Sequence, residues 1–303
     1  MKRSLLIFLT VLICSTLSAQ SFMERGVASY KEGDKKQAVR WFDWAIAADT
    51  TDANRYFTRG RVRRETDDIS GALADFRRAI ELDPKNGDAY FFMALCLFST
   101  GDHKAAVANN TLSLEYETAY QSQAFLNRAQ TYLKTNKNKL ALKDYGSAIE
   151  LKDHNITAAY LGRGKLKLTK NDKVGALEDF KKLSELTPED AQLKWDIGAI
   201  SYQVEEYADA VAYYSKAMEM SRDNGPQLYM VRGETFEKLK FYDSAIADYT
   251  TAIELKGNLP NAYYNRGQAK ARMGNKEAAC VDWKKASELG HQEAKSVIVY
   301  NCK

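Results

Sequence analysis

Apolar and polar residues alternate along this chain with the period of an α-helix. In successive stretches the apolar residues recur every three to four positions, and short polar segments such as EGD, TGD and MGN separate one stretch from the next. This spacing predicts amphipathic helices joined by tight turns. The prolines lie between pairs of predicted helices, where a helix must end or begin; they are Pro84, Pro188, Pro226 and Pro260.

The same pattern returns at a nearly constant interval. A central alanine recurs at spacings of 34 or 35 residues, at Ala38, Ala72, Ala106, Ala141, Ala176, Ala210, Ala245 and Ala279. A small residue stands twelve positions before each of them, at Gly26, Gly60, Ala94, Ala129, Gly164, Gly198, Gly233 and Gly267. Four positions after each alanine the residue is usually aromatic. A fixed interval of this size indicates repeated helix pairs that pack closely at their small residues.

The pattern resembles the tetratricopeptide repeat family over nearly the whole chain after residue 19. The segments AYYNRGQAKARMGNKEAACVDWKKASEL and RYFTRGRVRRETDDISGALADFRRAIELDPKN carry it in full. The resemblance implies an all-α fold, a right-handed α-solenoid of eight helix hairpins, because one hairpin cannot bury its own apolar face. The predicted repeats span 19–52, 53–86, 87–120, 122–155, 157–190, 191–224, 226–259 and 260–293, and a C-terminal capping helix spans 292–303.

The first 19 residues differ from the repeats. Lys2 and Arg3 precede the apolar run LLIFLTVLI, and the small residue Ala19 stands before Gln20. This composition predicts a secretory signal peptide over residues 1–19. An uncleaved anchor is the alternative, although the run is short for a bilayer span. We therefore expect an exported bacterial protein, located in the periplasm or cell envelope or secreted.

Charge and composition narrow the classes of partner. The formal net charge is +4, and removal of Lys2 and Arg3 with the signal peptide leaves 4 − 2 = +2. A chain this close to neutral argues against nucleic-acid binding. No segment after residue 19 is apolar enough to predict a transmembrane span in the mature chain. The histidines, His103, His154 and His291, show no metal-ligand spacing, and no catalytic motif stands out. We expect no metal, no cofactor and no enzymatic activity.

Two charged positions vary together from repeat to repeat. With the small residue numbered 8 and the central alanine 20, position 7 is arginine in six repeats and position 23 is aspartate in five of those. The two positions are equidistant from the turn at position 15, so they face each other in an antiparallel hairpin. We predict structural ion pairs; a row of ligand-binding arginines is the alternative. The pairs are Arg59–Asp75, Arg128–Asp144, Arg163–Asp179, Arg232–Asp248 and Arg266–Asp282.

The cysteines suggest one covalent link. Cys280 lies in the last second helix, and Cys302 lies at the end of the predicted cap. Their midpoint, residue 291, falls at the break between these helices, so the hairpin places the two sulfurs side by side. We predict a disulfide between them, with two small residues at a helix interface as the alternative. Cys96, within ALCLF, is predicted to be a buried small hydrophobic residue.

The resemblance implies that positions 2, 5, 6, 9, 12 and 13 face a concave groove. Some family members bind a C-terminal carboxylate there through Lys, Asn and Arg, but no three consecutive repeats of this chain supply that set. The helix AYFFMALCLF is apolar nearly all round, which indicates either a binding surface or a helix covered by its neighbours. The predicted partner-binding residues of the groove are Phe57, Phe91, Phe92, Leu95, Trp195, Tyr202, Met230 and Tyr264.

Together these features predict an exported, non-enzymatic scaffold that binds a protein or peptide partner in its groove. Aromatic residues in such a groove also suit carbohydrate. A module that binds envelope glycan or another small ligand is therefore the alternative.

Overall fold

The computed structural model describes residues 18–221 and 224–302. Every regular element in these ranges is an α-helix, as the all-α prediction requires. The helices are α1 (18–31), α2 (Lys35–Ala48), α3 (Ala53–Glu65), α4 (Ile69–Leu82), α5 (Gly87–Ser99), α6 (His103–Glu115), α7 (Gln121–Lys134), α8 (Asn138–Glu150), α9 (Ile156–Thr169), α10 (Lys173–Leu186), α11 (Ala191–Gln203), α12 (Tyr207–Met220), α13 (Pro226–Lys238), α14 (Tyr242–Leu255), α15 (Pro260–Arg272), α16 (Lys276–Glu288) and α17 (Gln292–Asn301). Residues 1–17 of the predicted signal peptide lie outside the described residues.

The helices form two compact units; the described residues up to Ala159 belong to unit 1 and those from Tyr160 onward to unit 2. Within each unit, a helix packs against the helices that precede and follow it. First helices of successive hairpins also meet, α5 with α3 and α7 in unit 1, and α13 with α15 in unit 2. The cap helix α17 packs against α16. This is the neighbour-to-neighbour packing of an α-solenoid of hairpins, which confirms the predicted architecture.

Each hairpin turns at position 15, which adopts the left-handed backbone conformation. Glycine occupies this position in three repeats, with φ between 86° and 88°, at Gly33, Gly101 and Gly274. The other five repeats carry a side chain there at φ between 57° and 65°, in Asp67, Asn136, Asn171, Glu205 and Lys240. Because only glycine enters this region without steric cost, the five turns that carry a side chain are less favourable than the three with glycine.

The residue after the turn begins the second helix. In most repeats it is aspartate or asparagine, whose side chain accepts a hydrogen bond from a backbone amide of the first helical turn. Asp68 accepts from Gly71 N at 2.9 Å, and Asn275 accepts from Ala278 N at 3.1 Å. The polar segments of the sequence are therefore both the turns and the helix caps.

The core lies where the two helices of a hairpin meet. The glycine at position 8 packs against the ring at position 24, and a Cβ added to Gly233 would lie 2.8 Å from Cε1 of Tyr249. That distance is shorter than real contacts, so any larger residue would displace the ring. In the third repeat the ring is replaced by Asn110, which is fully buried and donates to Oδ1 of Asn127 at 2.6 Å.

Across residues 18–221 and 224–302, none of the helices has the length and apolarity needed to span a membrane.

Candidate functional site

The arginines at position 7 are held within the fold. Arg266 donates from Nε and Nη2 to the two carboxylate oxygens of Asp282 at 2.9 and 2.8 Å. The other four predicted pairs have the same two-pronged geometry, with distances between 2.6 and 3.0 Å. The aspartates are 2–5% exposed. A guanidinium in a bidentate pair with a buried carboxylate has few free donors for a ligand.

The remaining guanidinium nitrogen reaches the preceding hairpin. In four repeats Nη1 donates to a side-chain oxygen at position 25 of the repeat before, at 2.7–3.1 Å. The acceptors are Asp43 for Arg59, Thr111 for Arg128, Ser215 for Arg232 and Thr250 for Arg266. Each of these arginines therefore ties its own hairpin together and also joins it to a neighbour. Sequence reasoning missed this second contact, although the oxygen-bearing residue at position 25 was visible.

The two cysteines are bonded. The Sγ atoms of Cys280 and Cys302 lie 2.02 Å apart, which links α16 to the end of α17. Beside the break between these helices, the ring of His291 stacks on Tyr264 with centroids 4.1 Å apart. Cys96 is fully buried, and burial raises the pKa of its thiol to about 11, so at neutral pH it is a packed thiol.

The apolar patch predicted in the third repeat is not open. Phe91 and Phe92 are only 4% and 5% exposed. Tyr120, which precedes α7, lies 5.1 Å from each ring, centroid to centroid, and Phe57 of α3 lies 5.6 Å from Phe92. Leu95 packs half-buried against the same cluster. Phe91 and Phe92 are therefore core residues, and their prediction as partner-binding residues was wrong, because rings of neighbouring hairpins cover them.

Trp195 and Met230 are half-buried and pack inward as well. Trp195 lies against Tyr214, with ring centroids 4.6 Å apart. Met230 packs against the core cluster that contains Tyr249 and Ala269. Neither side chain reaches the open pocket of unit 2.

That pocket has a volume of about 590 Å³ and lies between α11, α13 and α15. Two of the predicted groove residues, Tyr202 and Tyr264, line it. Most of the remaining lining is polar or charged, and most of it occupies the groove positions implied by the repeat. The other lining residues are Glu234, Glu237, Lys238, Lys240, Tyr242, Asn265, Gln268 and Arg272.

Two carboxylates lie side by side in the pocket. Glu234 and Glu237 are three residues apart on α13 and so share one face of that helix. Glu234 accepts a hydrogen bond from the amide of Asn265 at 3.2 Å. Oε1 of Glu237 is buried and has no hydrogen-bond partner in residues 18–221 and 224–302. One oxygen of this carboxylate pair is thus buried and left without a hydrogen bond.

A buried phenol faces the same pair. Tyr249 of α14 is fully buried, and its hydroxyl is close to Glu237 and Asn265. It makes no hydrogen bond of ordinary geometry with any described residue. An unpaired buried hydroxyl beside an unpaired buried carboxylate oxygen is costly, because each has lost its water.

Burial also changes the acidity of these groups. Burial, together with the neighbouring Glu234, raises the pKa of Glu237 to about 7, against the opposing effect of Arg272 and Lys238. Burial raises the pKa of Glu234 as well. The pocket therefore holds one carboxyl group, that of Glu237, that gains or loses a proton near neutral pH. The cations of the lining, Lys238, Lys240 and Arg272, are exposed and form its rim.

Comparison with known proteins identifies the repeat. Family models described as TPR repeat and tetratricopeptide repeat match residues 57–109, 122–155, 233–274 and 260–289. The chain belongs to the tetratricopeptide repeat family. These matches cover hairpins of both units, in line with the helix pairs of the structure.

Curated relatives match this tetratricopeptide repeat protein over part of their length. Hsc70-interacting protein 1 of Drosophila melanogaster is 35% identical over 95 residues, which cover 31% of this chain and 25% of that protein. DnaJ homolog subfamily C member 3 of Homo sapiens is 27% identical over 181 residues, which cover 55% of this chain and 36% of that protein. The chain thus spans well under half the length of either relative.

Solved structures share the tetratricopeptide repeat fold. The C-terminal part of a TPR repeat-containing protein from Cytophaga hutchinsonii superposes with a TM-score of 0.55 at 18% identity, over 79% of this chain and 98% of that one. YrrB, described as a TPR protein with an unusual peptide-binding site, superposes with a TM-score of 0.50 at 23% identity, over 60% and 93%. At these identities the likeness shows the fold alone.

Proposed function

We propose that this tetratricopeptide repeat protein is an exported, non-catalytic scaffold that binds a peptide segment of a partner protein in the pocket of unit 2. The observation that carries the proposal is the pocket itself, about 590 Å³ lined from three successive first helices at the groove positions of the repeat. Oε1 of its lining residue Glu237 is buried and has no hydrogen-bond partner among the described residues. Concave sites with a few convergent polar groups are typical of binding.

Two relatives support the class of ligand. The Drosophila relative is named for its interaction with Hsc70, and the solved structure of YrrB is described as having a peptide-binding site. Both are interactions with polypeptide. Five arginines at position 7, in contrast, are already bound to buried aspartates, which argues against them as the ligand-binding residues.

Export rests on the first 19 residues. Their basic start, apolar run and Ala19 support cleavage before Gln20. The test is to express the full chain in a bacterium that has a periplasm, and then to determine the N-terminal sequence of the protein released from that compartment. A chain that stays in the cytoplasm with its first residues intact would contradict export.

The binding function is tested with immobilised protein and a degenerate peptide library. We expect the wild type to retain peptides and the double variant Asn265→Ala, Gln268→Ala to lose them, because both side chains line the pocket. Lys284→Ala, an exposed change on α16 outside the pocket, is the matched control. A parallel screen with oligosaccharides tests the glycan alternative. Retention of sugars but not peptides would replace the proposal.

A further inference from the structure

The pocket of unit 2 separates its charges by depth. The carboxyl groups of Glu234 and Glu237 are half-buried, whereas the cations Lys238, Lys240 and Arg272 are exposed at the rim. We propose that this pocket binds the ammonium group of a lysine side chain of a partner peptide between the carboxylates of Glu234 and Glu237. This inference rests on the proposed peptide-binding function and names the chemistry of its ligand.

The buried oxygens fit an ammonium group. Oε1 of Glu237 is buried and makes no hydrogen bond of ordinary geometry in the described part of the chain, although the hydroxyl of Tyr249 lies close to this carboxyl. Glu234 stands one helical turn away on the same face. An ammonium carries three donors and no acceptor, so it can bind oxygens of both carboxylates at once. Pairing removes the desolvation cost that these atoms now bear.

The shape of a lysine side chain fits the route to these oxygens. Its hydrocarbon stem can lie along the rings of Tyr202 and Tyr264, which line the pocket on either side of α13. Such stems pack on apolar surface while the charged end finds its partners. The exposed cations at the rim favour acidic residues on the partner next to that lysine, because opposite charges attract at the surface. We therefore infer a lysine flanked by aspartate or glutamate.

The affinity should depend on pH near neutrality. An ammonium binds the ionised carboxylate, and the pKa of Glu237 is about 7 in the absence of ligand. Binding should therefore strengthen from pH 6 to pH 8, with proton release on binding at the lower pH. The groups that face Glu237 are Tyr202 on α11, Glu234 and Lys238 on α13, Tyr249 on α14, and Asn265 and Arg272 on α15.

The test uses four pools of decapeptides, N-acetylated and C-amidated, with all positions degenerate except a fixed centre. The centre is lysine, Nε-acetyl-lysine, leucine or glutamate. We expect the full-length protein at pH 8 to retain the lysine pool about tenfold more than the acetyl-lysine pool. The ratio of lysine-pool to acetyl-lysine-pool retention should be smaller at pH 6 and should fall to one in the double variant Glu234→Gln, Glu237→Gln. The control variant Lys284→Gln, outside the pocket, should show the same ratio as the wild type. A fifth pool, with leucine centre and free N-terminus, distinguishes a lysine side chain from a terminal amine.

Each outcome decides one of the two proposals. Equal retention of the lysine and acetyl-lysine pools overturns the ammonium site and leaves peptide binding in place. Retention of no pool overturns the peptide-binding function, and n-butylammonium then tests the ammonium site. Shifts of the Tyr202 and Tyr249 ring signals in NMR, present in wild type and absent in the double variant, support it, and no shift overturns it. Glutamine is nearly isosteric with glutamate, and circular dichroism verifies that the variants fold.

Discussion

The third and the seventh hairpins carry different chemistry at their groove positions. In the third hairpin, in unit 1, Phe92 is covered by Phe57 and Tyr120 and is 5% exposed. In the seventh hairpin, in unit 2, Glu234 and Glu237 face a pocket of about 590 Å³. Both are helix hairpins of the same repeat, although the third carries Met93 and Asn109 where the seventh has the pair Arg232–Asp248. The comparison shows that the inner face of one repeat can be either packed as core or left open as a pocket, according to the side chains it carries.

The largest expected effect comes from the filled groove of unit 1. Phe92→Ala should destabilise the protein by about 3–5 kcal/mol, because it removes a buried ring that contacts rings of α3, α4 and the segment before α7. Tyr264→Ala in unit 2 should cost clearly less, since Tyr264 is only half-buried beside an open pocket. Urea denaturation followed by circular dichroism measures both. Equal losses of stability in the two variants would show that Phe92 is no more a core residue than Tyr264.

The second effect tests the frame that the two units share. Arg128–Asp144 in unit 1 and Arg232–Asp248 in unit 2 have the same geometry, and each arginine also donates to the preceding hairpin. Asp144→Ala and Asp248→Ala should each cost about 3 kcal/mol, because each leaves a partly buried guanidinium without its carboxylate.

Double-mutant cycles in urea supply the control for this prediction. Each arginine is also changed to alanine, alone and together with its aspartate. The double variants should lose less stability than the sum of their single variants. Additive losses in either unit would mean that the arginine and aspartate act independently there.

The sequence predicted the frame better than the groove. Arg–Asp pairing follows from distances to a turn within one hairpin, and the structure contains those pairs. Whether Phe92 is covered depends on Tyr120, which lies in the segment before α7 of the next hairpin. Helical periodicity within one hairpin cannot predict a contact with another hairpin. Glu234 and Glu237 were missed because single charged residues on a helix resemble a solvated face. Only their partial burial and the unpaired Oε1 of Glu237 distinguish them.

The third effect is specific to the polar pocket. A carboxyl whose pKa is raised from 4.5 to about 7 by folding binds a proton more tightly in the folded state. Glu237 should therefore stabilise the fold less as the pH rises from 4.5 through 7. Solvent screens this partly exposed group, so the loss should be about 1–2 kcal/mol. Glu237→Gln should remove this loss and raise the stability at pH 8.

Guanidinium denaturation at pH 5 and pH 8 measures this effect, and Glu254→Gln, an exposed change on α14, is the control. Other groups titrate in the same window, so the comparison is between the two variants and not between the two pH values alone. If Glu237→Gln and wild type lose the same stability between pH 5 and pH 8, the carboxyl is not held in a desolvated pocket.

The smallest effect lies in the turns, where the two units should respond to different degrees. Lys240 of unit 2 holds position 15 at φ 63°, and Asp67 of unit 1 holds it at φ 64°. Lys240→Gly should stabilise the protein by somewhat less than about 1 kcal/mol, since glycine relieves the left-handed strain but gains freedom in the unfolded chain. Asp67→Gly should gain less, because a short polar side chain tolerates this conformation better. Lys240→Ala separates the backbone effect from loss of the charge at the pocket rim, because alanine removes the ammonium and keeps the Cβ. Thermal unfolding of the three variants beside wild type measures the stabilities. If Lys240→Ala gains as much stability as Lys240→Gly, the effect comes from loss of the charge and not from the backbone.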